Sequence, residues 1–368
     1  MHKTYDVVIV GAGAAGVGCG AVLRHLQIDN FAILDREGVA ASFDRWPPGM
    51  RFITPSFTSN AFGSLDLNAV ALRTSPAFTL KTEHPTGTEY ARYLRGVAKH
   101  FELPVQKNRD VQRIEPRDGG FRLHTSRGAL RSKFVIWAAG EFQYPKLNPF
   151  SGAENCVHAS HAGDWKGFPG DEVLVIGGYE SGADAAYHLA SAGKRVQVLD
   201  RAAPWTLSES DPSVALSPFT RDRLQSMNGA VELVAKVKVH GVTRTNGHFT
   251  VIAKDGRRWE TASQPILATG FTGSLASIKN HFAWTRSGHA LLTECDESTR
   301  TPGLFVAGPQ VRHGNVIFCF IYKYRQRFAV VANEIAKRLD VSTEPLEVYR
   351  REQMFLDDLS CCGEECAC

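Results

Sequence analysis

Two glycine runs in this chain have the residue types and spacing to hold dinucleotides. Gly11-Ala-Gly13-Ala14-Ala15-Gly16 follows the apolar run Val7–Val10, and Gly177-Gly178-Tyr179-Glu180-Ser181-Gly182 follows Val173–Ile176. About 20 residues further on, each copy reaches an acidic and a basic residue, Asp35-Arg36 and Asp200-Arg201. Glycines at this spacing permit a tight turn, let the main chain approach a pyrophosphate and pack a helix closely, while the free N–H groups of that helix attract the anion. The acid is placed to accept from a ribose hydroxyl. A third cluster lies at the end of the chain, where Cys361, Cys362, Cys366 and Cys368 crowd the last eight residues.

The glycines work only if elements hold them. Each copy reads as a buried strand, a glycine-rich turn, a helix and a second strand, and the two copies lie roughly 165 residues apart, a duplicated unit rather than a solenoid. Uninterrupted apolar strands of this kind suit the centre of a parallel sheet covered on both faces. Ala138-Ala139-Gly140 closes a further strand in the first copy, and Ala268-Thr269-Gly270-Phe271 closes one in the second. Phe305-Val-Ala-Gly308 ends another, with Gln310 just beyond, and Asn315 to Leu339 reads as one long helix.

Composition fits this picture. At about 150 residues per domain, 368 residues make two domains. The chain is 43% hydrophobic and 22% charged, with no apolar run near the ~18–20 residues that a membrane span needs. Its 42 Lys and Arg against 38 Asp and Glu are scattered rather than striped, which argues against nucleic acid as a partner. The N-terminus enters a strand directly, with no secretory pattern, so the expected compartment is the cytoplasm and no membrane partner is expected.

Taken in order, these motifs resemble the flavoproteins with two dinucleotide-binding domains, the group of flavin-containing and Baeyer–Villiger monooxygenases and their thioredoxin-reductase-like relatives. The resemblance covers roughly residues 5 to 340. It implies an α/β fold of two Rossmann-like domains, the NAD(P)-binding one inserted in the FAD-binding one. The boundaries expected are 1–148 and 265–340 for the FAD domain, 149–264 for the NAD(P)H domain and 341–368 for a partly ordered tail. By this likeness FAD is held by Gly11, Gly13, Ala14, Ala15, Gly16, Asp35, Arg36, Gly140, Gly308 and Gln310. NADPH or NADH is held by Gly177 to Gly182, Asp200, Arg201 and Gly270. Asp200 suits a 2′-hydroxyl and Arg201 a 2′-phosphate, so the choice between the two nicotinamides stays open. The Ser42–Pro55 stretch resembles the family segment that runs toward the flavin ring, which makes Trp46 and Asn60 candidates at the ring; the other reading is an aromatic surface loop.

The chain also departs from the family. Tyr179 stands where the middle glycine belongs, and either obstructs the nicotinamide cofactor or stacks on it. The monooxygenase fingerprint is half present: His161 and Trp165 match, but Cys156-Val-His158 stands where Phe-x-Gly should. No two cysteines of the body lie within five residues, so the Cys-x-x-Cys relay of thioredoxin reductases is absent. His158, His161 and Cys156 offer a metal-like spacing that family position explains better. His313 precedes the last helix and is either a flavin or substrate contact or part of a cap formed by Asn315.

The expected function is therefore an FAD-dependent oxidoreductase. NAD(P)H passes hydride to FAD, and in the first reading the electrons go to O2 and a small substrate, as in a monooxygenase. One alternative is a thiol/disulfide or metal(loid) reductase that uses the terminal cysteines. The other is a metal-binding or redox-sensing flavoprotein without turnover. The tail thiols are soft ligands, so a metal ion there, an electron relay and an inert end all remain open. A homodimer is the assembly entertained.

Overall fold

The computed structural model describes residues 4–58, 65–209, 211–227 and 229–360. The described chain divides into two units. One comprises the residues up to Arg45, Thr54–Gln143 and those from Gly273 onward; the other comprises Trp46–Ile53 and Tyr144–Thr272. The insertion thus runs from 144 to 272 rather than 149 to 264, and it takes the short segment carrying Trp46 with it.

In the first unit, strand β1 (Thr4–Val10) leads into helix α1 (Ala14–His25), then β2 (Phe31–Leu34), α2 (Ala41–Asp44), α3 (Pro76–Leu80), α4 (Gly87–His100) and β3 (Val105–Gln106). β4 (Val111–Arg117), β5 (Gly120–Thr125) and β6 (Gly128–Trp137) form an antiparallel meander. β6 joins two pairing modes within one sheet of order β3-β2-β1-β6-β5-β4: Gly128–Ser132 pair antiparallel with β5, Arg131–Trp137 run parallel to β1, and Val135–Trp137 run parallel to a later strand. The residues Val7–Val10 are apolar and buried, as a central strand between two covering layers requires. α4 begins in a capping box formed by Thr86 and Glu89.

The second unit repeats the plan. β7 (Val157–His158), β8 (Glu172–Ile176), α5 (Glu180–Ser191), β9 (Arg195–Leu199), α6 (Pro218–Ser226) and β10 (Val231–Val234) precede an antiparallel meander. That meander is β11 (Val239–Thr245), β12 (His248–Ala253) and β13 (Arg258–Thr261), and it returns to β14 (Ile266–Leu267). The parallel sheet has the order β10-β9-β8-β14-β7. Trp165, Phe168, Val173, Val175, Leu189 and Ile266 fill its core on one side.

Back in the first unit from Gly273 onward, the chain forms β15 (Leu304–Val306), parallel to β6. The long helix expected from Asn315 to Leu339 is corrected here. Arg312–His313 (β16) and Val316–Ile317 (β17) form a hairpin whose turn contains Gly314 at φ +57° and Asn315, so Asn315 turns a hairpin and caps no helix. Helix begins at α7 (Ile321–Tyr324), passes through a tighter turn at Arg325–Arg327 and continues as α8 (Phe328–Arg338). The phenyl ring of Phe328 lies where a Cβ on Gly18 would be, so α8 packs directly on the backbone of α1. Beyond it, α9 (Glu347–Arg351) and Met354 dock on the unit: Tyr349 and Met354 are buried, and Tyr349 Oη meets His25 Nδ1 at 2.8 Å. The described part of the tail is ordered because it carries apolar side chains that the unit buries.

Candidate functional site

The two glycine loops have the same internal geometry. Gly11 takes φ +105° and its N–H bonds Leu34 O at 2.8 Å; Gly177 takes φ +106° and its N–H bonds Leu199 O at 2.9 Å. A Cβ on Gly11 would lie 2.5 Å from Ala138 O, and one on Gly177 would collide with Ala268 O. A Cβ on Gly16 or Gly182 would overlap the carbonyl of Gly11 or Gly177. The outer two glycines of each loop are thus fixed by the chain's own packing, turn conformation in one case and helix approach in the other.

The acids complete the match. Asp35 Oδ2 accepts the N–H of Ala12 at 2.8 Å, and its Oδ1 accepts those of Glu37 and Gly38 at 2.8 and 2.7 Å. Asp200 Oδ2 accepts from Gly178 N at 2.8 Å, and its Oδ1 from Ala202 and Ala203 at 2.6 and 2.8 Å. A carboxylate has about four acceptor positions, so each acid keeps one unused among the described residues while it braces the loop beside it.

At the middle position the copies part. A Cβ placed on Gly13 meets nothing within 4 Å, so the space beside the first loop is open, and no acidic residue stands in the first turn of α1. Ala14 and Ala15, the first two residues of α1, present small side chains, and a Cβ on Gly308 would come 3.2 Å from Ala15 Cβ. These residues fit a dinucleotide such as FAD. In the second copy, Tyr179 Oη donates to Pro212 O, which draws the ring into the unit's own packing, and Trp205 lies over Gly178 where a Cβ would be. Glu180 opens α5 but turns away, its Oε1 accepting from Ser217 N at 2.6 Å and its Oε2 from Thr220 Oγ1 at 2.5 Å. Burial pushes the Glu180 carboxyl above the usual range, against these hydrogen bonds. The second cradle keeps its frame and fits a dinucleotide in a narrower form.

The remaining sequence candidates fall in various places. Arg36 bonds Gln143 Oε1, and Gln310 Oε1 accepts from Ser274 Oγ and Leu275 N at 3.0 and 3.1 Å, so the amide oxygen of Gln310 is spent on the protein. Gly140 and Gly270 take φ +65° and +79° at the ends of matching strands, and Ser181 lies in the first turn of α5. Trp46 packs on Phe52 at 4.9 Å in the second unit. Thr54 O and Ser56 Oγ both accept from the buried Asn68 Nδ2 at 2.8 Å. His158 uses Nδ1 on Ser160 Oγ at 2.8 Å and Nε2 on Gly270 O at 3.1 Å, which leaves no nitrogen for a metal, and burial lowers its pKa. No group of three or more His, Cys, Asp or Glu side chains that could hold a metal is found among the described residues. Of the monooxygenase half-motif, Trp165 is buried and stacks on His188 inside the second unit, and His161 is exposed. Asn60, Cys361, Cys362, Cys366 and Cys368 lie outside the described residues. Also among the described residues, no helix is long and apolar enough to cross a membrane.

Two groups were invisible in the sequence. Glu141, just after Gly140, has its carboxyl pushed up by burial, with Arg312 opposing the shift. Asp296 is fully buried and held by Arg327 and His313, residues 31 and 17 positions away with no spacing rule to join them.

Against known proteins, residues 8–308 match the family model described as pyridine nucleotide-disulphide oxidoreductase. An uncharacterized oxidoreductase CzcO-like of Geobacillus kaustophilus is 32% identical over 193 residues, 51% of this chain and 52% of that protein. The chain thus spans about half the length of the first curated relatives it matches. Bacilliredoxin reductase Bdr of Bacillus subtilis is 23% identical over 354 residues, 90% of this chain and 97% of that protein. Among solved structures, a bacillithiol disulfide reductase Bdr from Staphylococcus aureus superimposes with a TM-score of 0.74 at 18% identity, covering 91% of this chain and 99% of its own, and shows the shared fold.

Proposed function

Because the chain belongs to the pyridine nucleotide-disulphide oxidoreductase family, we propose that it is an FAD-dependent oxidoreductase that moves two electrons from NADPH to a disulfide. The observation that carries the NAD(P)H-to-FAD part is the duplication of one cradle, Asp35 on Ala12 N and Asp200 on Gly178 N, both at 2.8 Å. In the first, Gly11 to Gly16 and Asp35 would hold FAD, which supplies a two-electron acceptor for hydride. In the second, Gly177 to Gly182 and Asp200 would hold the nicotinamide dinucleotide. Arg201 is exposed and has no ion pair among the described residues, which leaves its charge available to a 2′-phosphate and supports NADPH over NADH.

The disulfide acceptor is supported by the likeness to bacilliredoxin reductase along nearly the whole of both chains. The four terminal thiols extend it: Cys361 and Cys362 would relay electrons outward from the flavin. Oxygenation, the first reading of the sequence, is supported by the likeness to a flavin-containing monooxygenase of Arabidopsis thaliana, 24% identical over 247 residues, and by His161 with Trp165. Trp165 is occupied in packing, so that reading ranks second. The reduced thiols proposed for the tail suit a reducing compartment such as the cytoplasm.

Anaerobic stopped-flow mixing tests the reading. NADPH bleaches the flavin faster than NADH does, and a small aromatic disulfide restores the colour. Flavin that stays oxidised with both nicotinamides refutes it, and reoxidation by O2 alone, coupled to a substrate, selects oxygenation.

A further inference from the structure

Reduction of a disulfide by NADPH takes up one proton from outside the pair: NADPH + H+ + RSSR gives NADP+ + 2 RSH. The S–S bond breaks, one sulfur receives the proton equivalent of the hydride, and the other needs a donor. We propose that His313 is that donor: Nδ1 takes up the proton from solvent, giving the imidazolium, and passes it to the leaving sulfur, while Nε2 keeps its hydrogen on Asp296 and Arg327 holds that acid in place; this rests on the reading above and names the proton carrier within it.

The geometry begins at a carboxylate with no access to water. Asp296 is 0% exposed and Arg327 is 1% exposed; Nε reaches Oδ2 and Nη2 reaches Oδ1, both at 2.9 Å. Two of the guanidinium's other three hydrogens go to the carbonyls of Glu294 and Leu356. A bidentate guanidinium of this kind supplies the counter-charge that keeps a buried carboxylate ionised. His313 Nε2 lies 2.6 Å from Oδ1. An ionised carboxylate only accepts, so Nε2 carries a hydrogen and donates it. Nδ1 has no hydrogen-bond partner among the described residues, and the side chain keeps 15% of its surface exposed. An imidazole fixed through one nitrogen by a buried acid, with the other nitrogen open, is the arrangement that general acid–base catalysis uses.

The place in the fold is the second observation. The N–H of Val306, which ends β15, bonds Asp296 O at 2.9 Å, and Val306 pairs with Trp137, which pairs with Val10. These three residues end parallel strands immediately before the Gly11 loop, Ala138 and the Gly308 turn. Ligands of open parallel sheets bind outside such carboxyl ends. The charged and titratable groups around the imidazole are Asp296 and Arg327 beneath it and Arg312 beside it on the hairpin. Arg312 in turn faces Glu141 and meets His289 Nε2 at 3.2 Å.

The competing role is a strut that ties the hairpin to Asp296, and His313→Gln separates the two, since an amide still donates to Asp296 but carries no proton. In the holoenzyme, flavin bleaching by NADPH stays within about twofold of wild type, while kcat with a small aromatic disulfide falls about 100-fold at unchanged KM. Added imidazole restores part of the loss in His313→Ala. Independently of activity, nitrogen-15 NMR of histidine-labelled protein shows His313 protonated at Nε2, and Asp296→Asn changes that signal. Unchanged turnover in His313→Gln beside normal bleaching overturns the inference alone, as does a neutral His313 protonated at Nδ1. Wild-type flavin that NADPH does not bleach removes the reading above and this inference with it.

Discussion

Gly13 and Tyr179 hold the same backbone conformation at the same point of the two copies, φ −80° and ψ −166° against φ −79° and ψ −171°, each just before its helix. Neither angle requires glycine, so the glycine at 13 serves space and not conformation.

That separates the glycines of the first loop by experiment. Gly13→Ala adds a methyl group with nothing within 4 Å, and the apoprotein should keep its stability to within about 0.5 kcal/mol while FAD retention drops at least tenfold. Gly16→Ala drives a methyl into Gly11 O, and both stability and flavin should be lost. Thermal melts and flavin absorbance of the purified variants check both, and equal flavin content in wild type and Gly13→Ala would show that the loop holds no dinucleotide.

Glu180 sets a carboxylate at the start of α5, the end that would attract the phosphates of a bound dinucleotide. Glu180→Gln should tighten NADPH about two- to fivefold, the effect of removing about 0.5–1 kcal/mol of repulsion at a helix N-terminus. Its carboxyl is raised by burial, so it favours the folded protein in its protonated form: that contribution is complete below the unfolded value and is lost as pH rises through the folded one. Wild-type stability should thus decline with rising pH through that window more than the glutamine variant does, as denaturant titrations at several pH values would reveal.

The pair Arg338 and Glu297 has the opposite sign. Burial alone would raise the Glu297 carboxyl, but the hydrogen bonds from Arg338 and Gly303 N together with the Arg338 charge hold it below its usual range. Its contribution is present above the unfolded value of about 4.3 and is lost as pH falls through the lowered one. Arg338→Met should destabilise the protein by about 2–3 kcal/mol at neutral pH, and the gap to wild type should close below about pH 4. A gap that persists in acid would mean that packing of the arginine on Phe134 and Phe305, and not its charge, was lost.

What the sequence revealed and what it hid follow from one distinction. Gly11, Gly16, Gly177 and Gly182 answer to contacts within about 25 residues or to a repeated strand, so their spacing announces them. Tyr179 was marked as an exception, and the geometry shows where its ring goes. Asn315 illustrates the limit: apolar periodicity from 315 to 339 is real, but Gly314-Asn315 is also a hairpin turn, and the turn prevailed. The Asp296–Arg327–His313 hub lay beyond reach because no local pattern links a buried acid to partners brought in by β16, α7 and the turn after it.

The terminal cysteines can be tested without disturbing what precedes them. Leu356 N–H bonds Gln326 O at 3.1 Å, Leu356 O accepts from Arg327, and Met354 is buried, so the chain is fastened up to this point. Removal of 361–368 leaves those contacts in place, and the melting temperature should not change. Removal from Met354 onward strips a buried arginine of one acceptor and empties the Met354 site, and should destabilise the protein by about 3–5 kcal/mol. With the shorter truncation, or with Cys361→Ser and Cys362→Ser together, NADPH should still bleach the flavin at the wild-type rate while turnover with a disulfide falls at least tenfold. Loss of bleaching in these variants would mean that the tail supports the cofactor sites, and full turnover would show that electrons leave the flavin by another route.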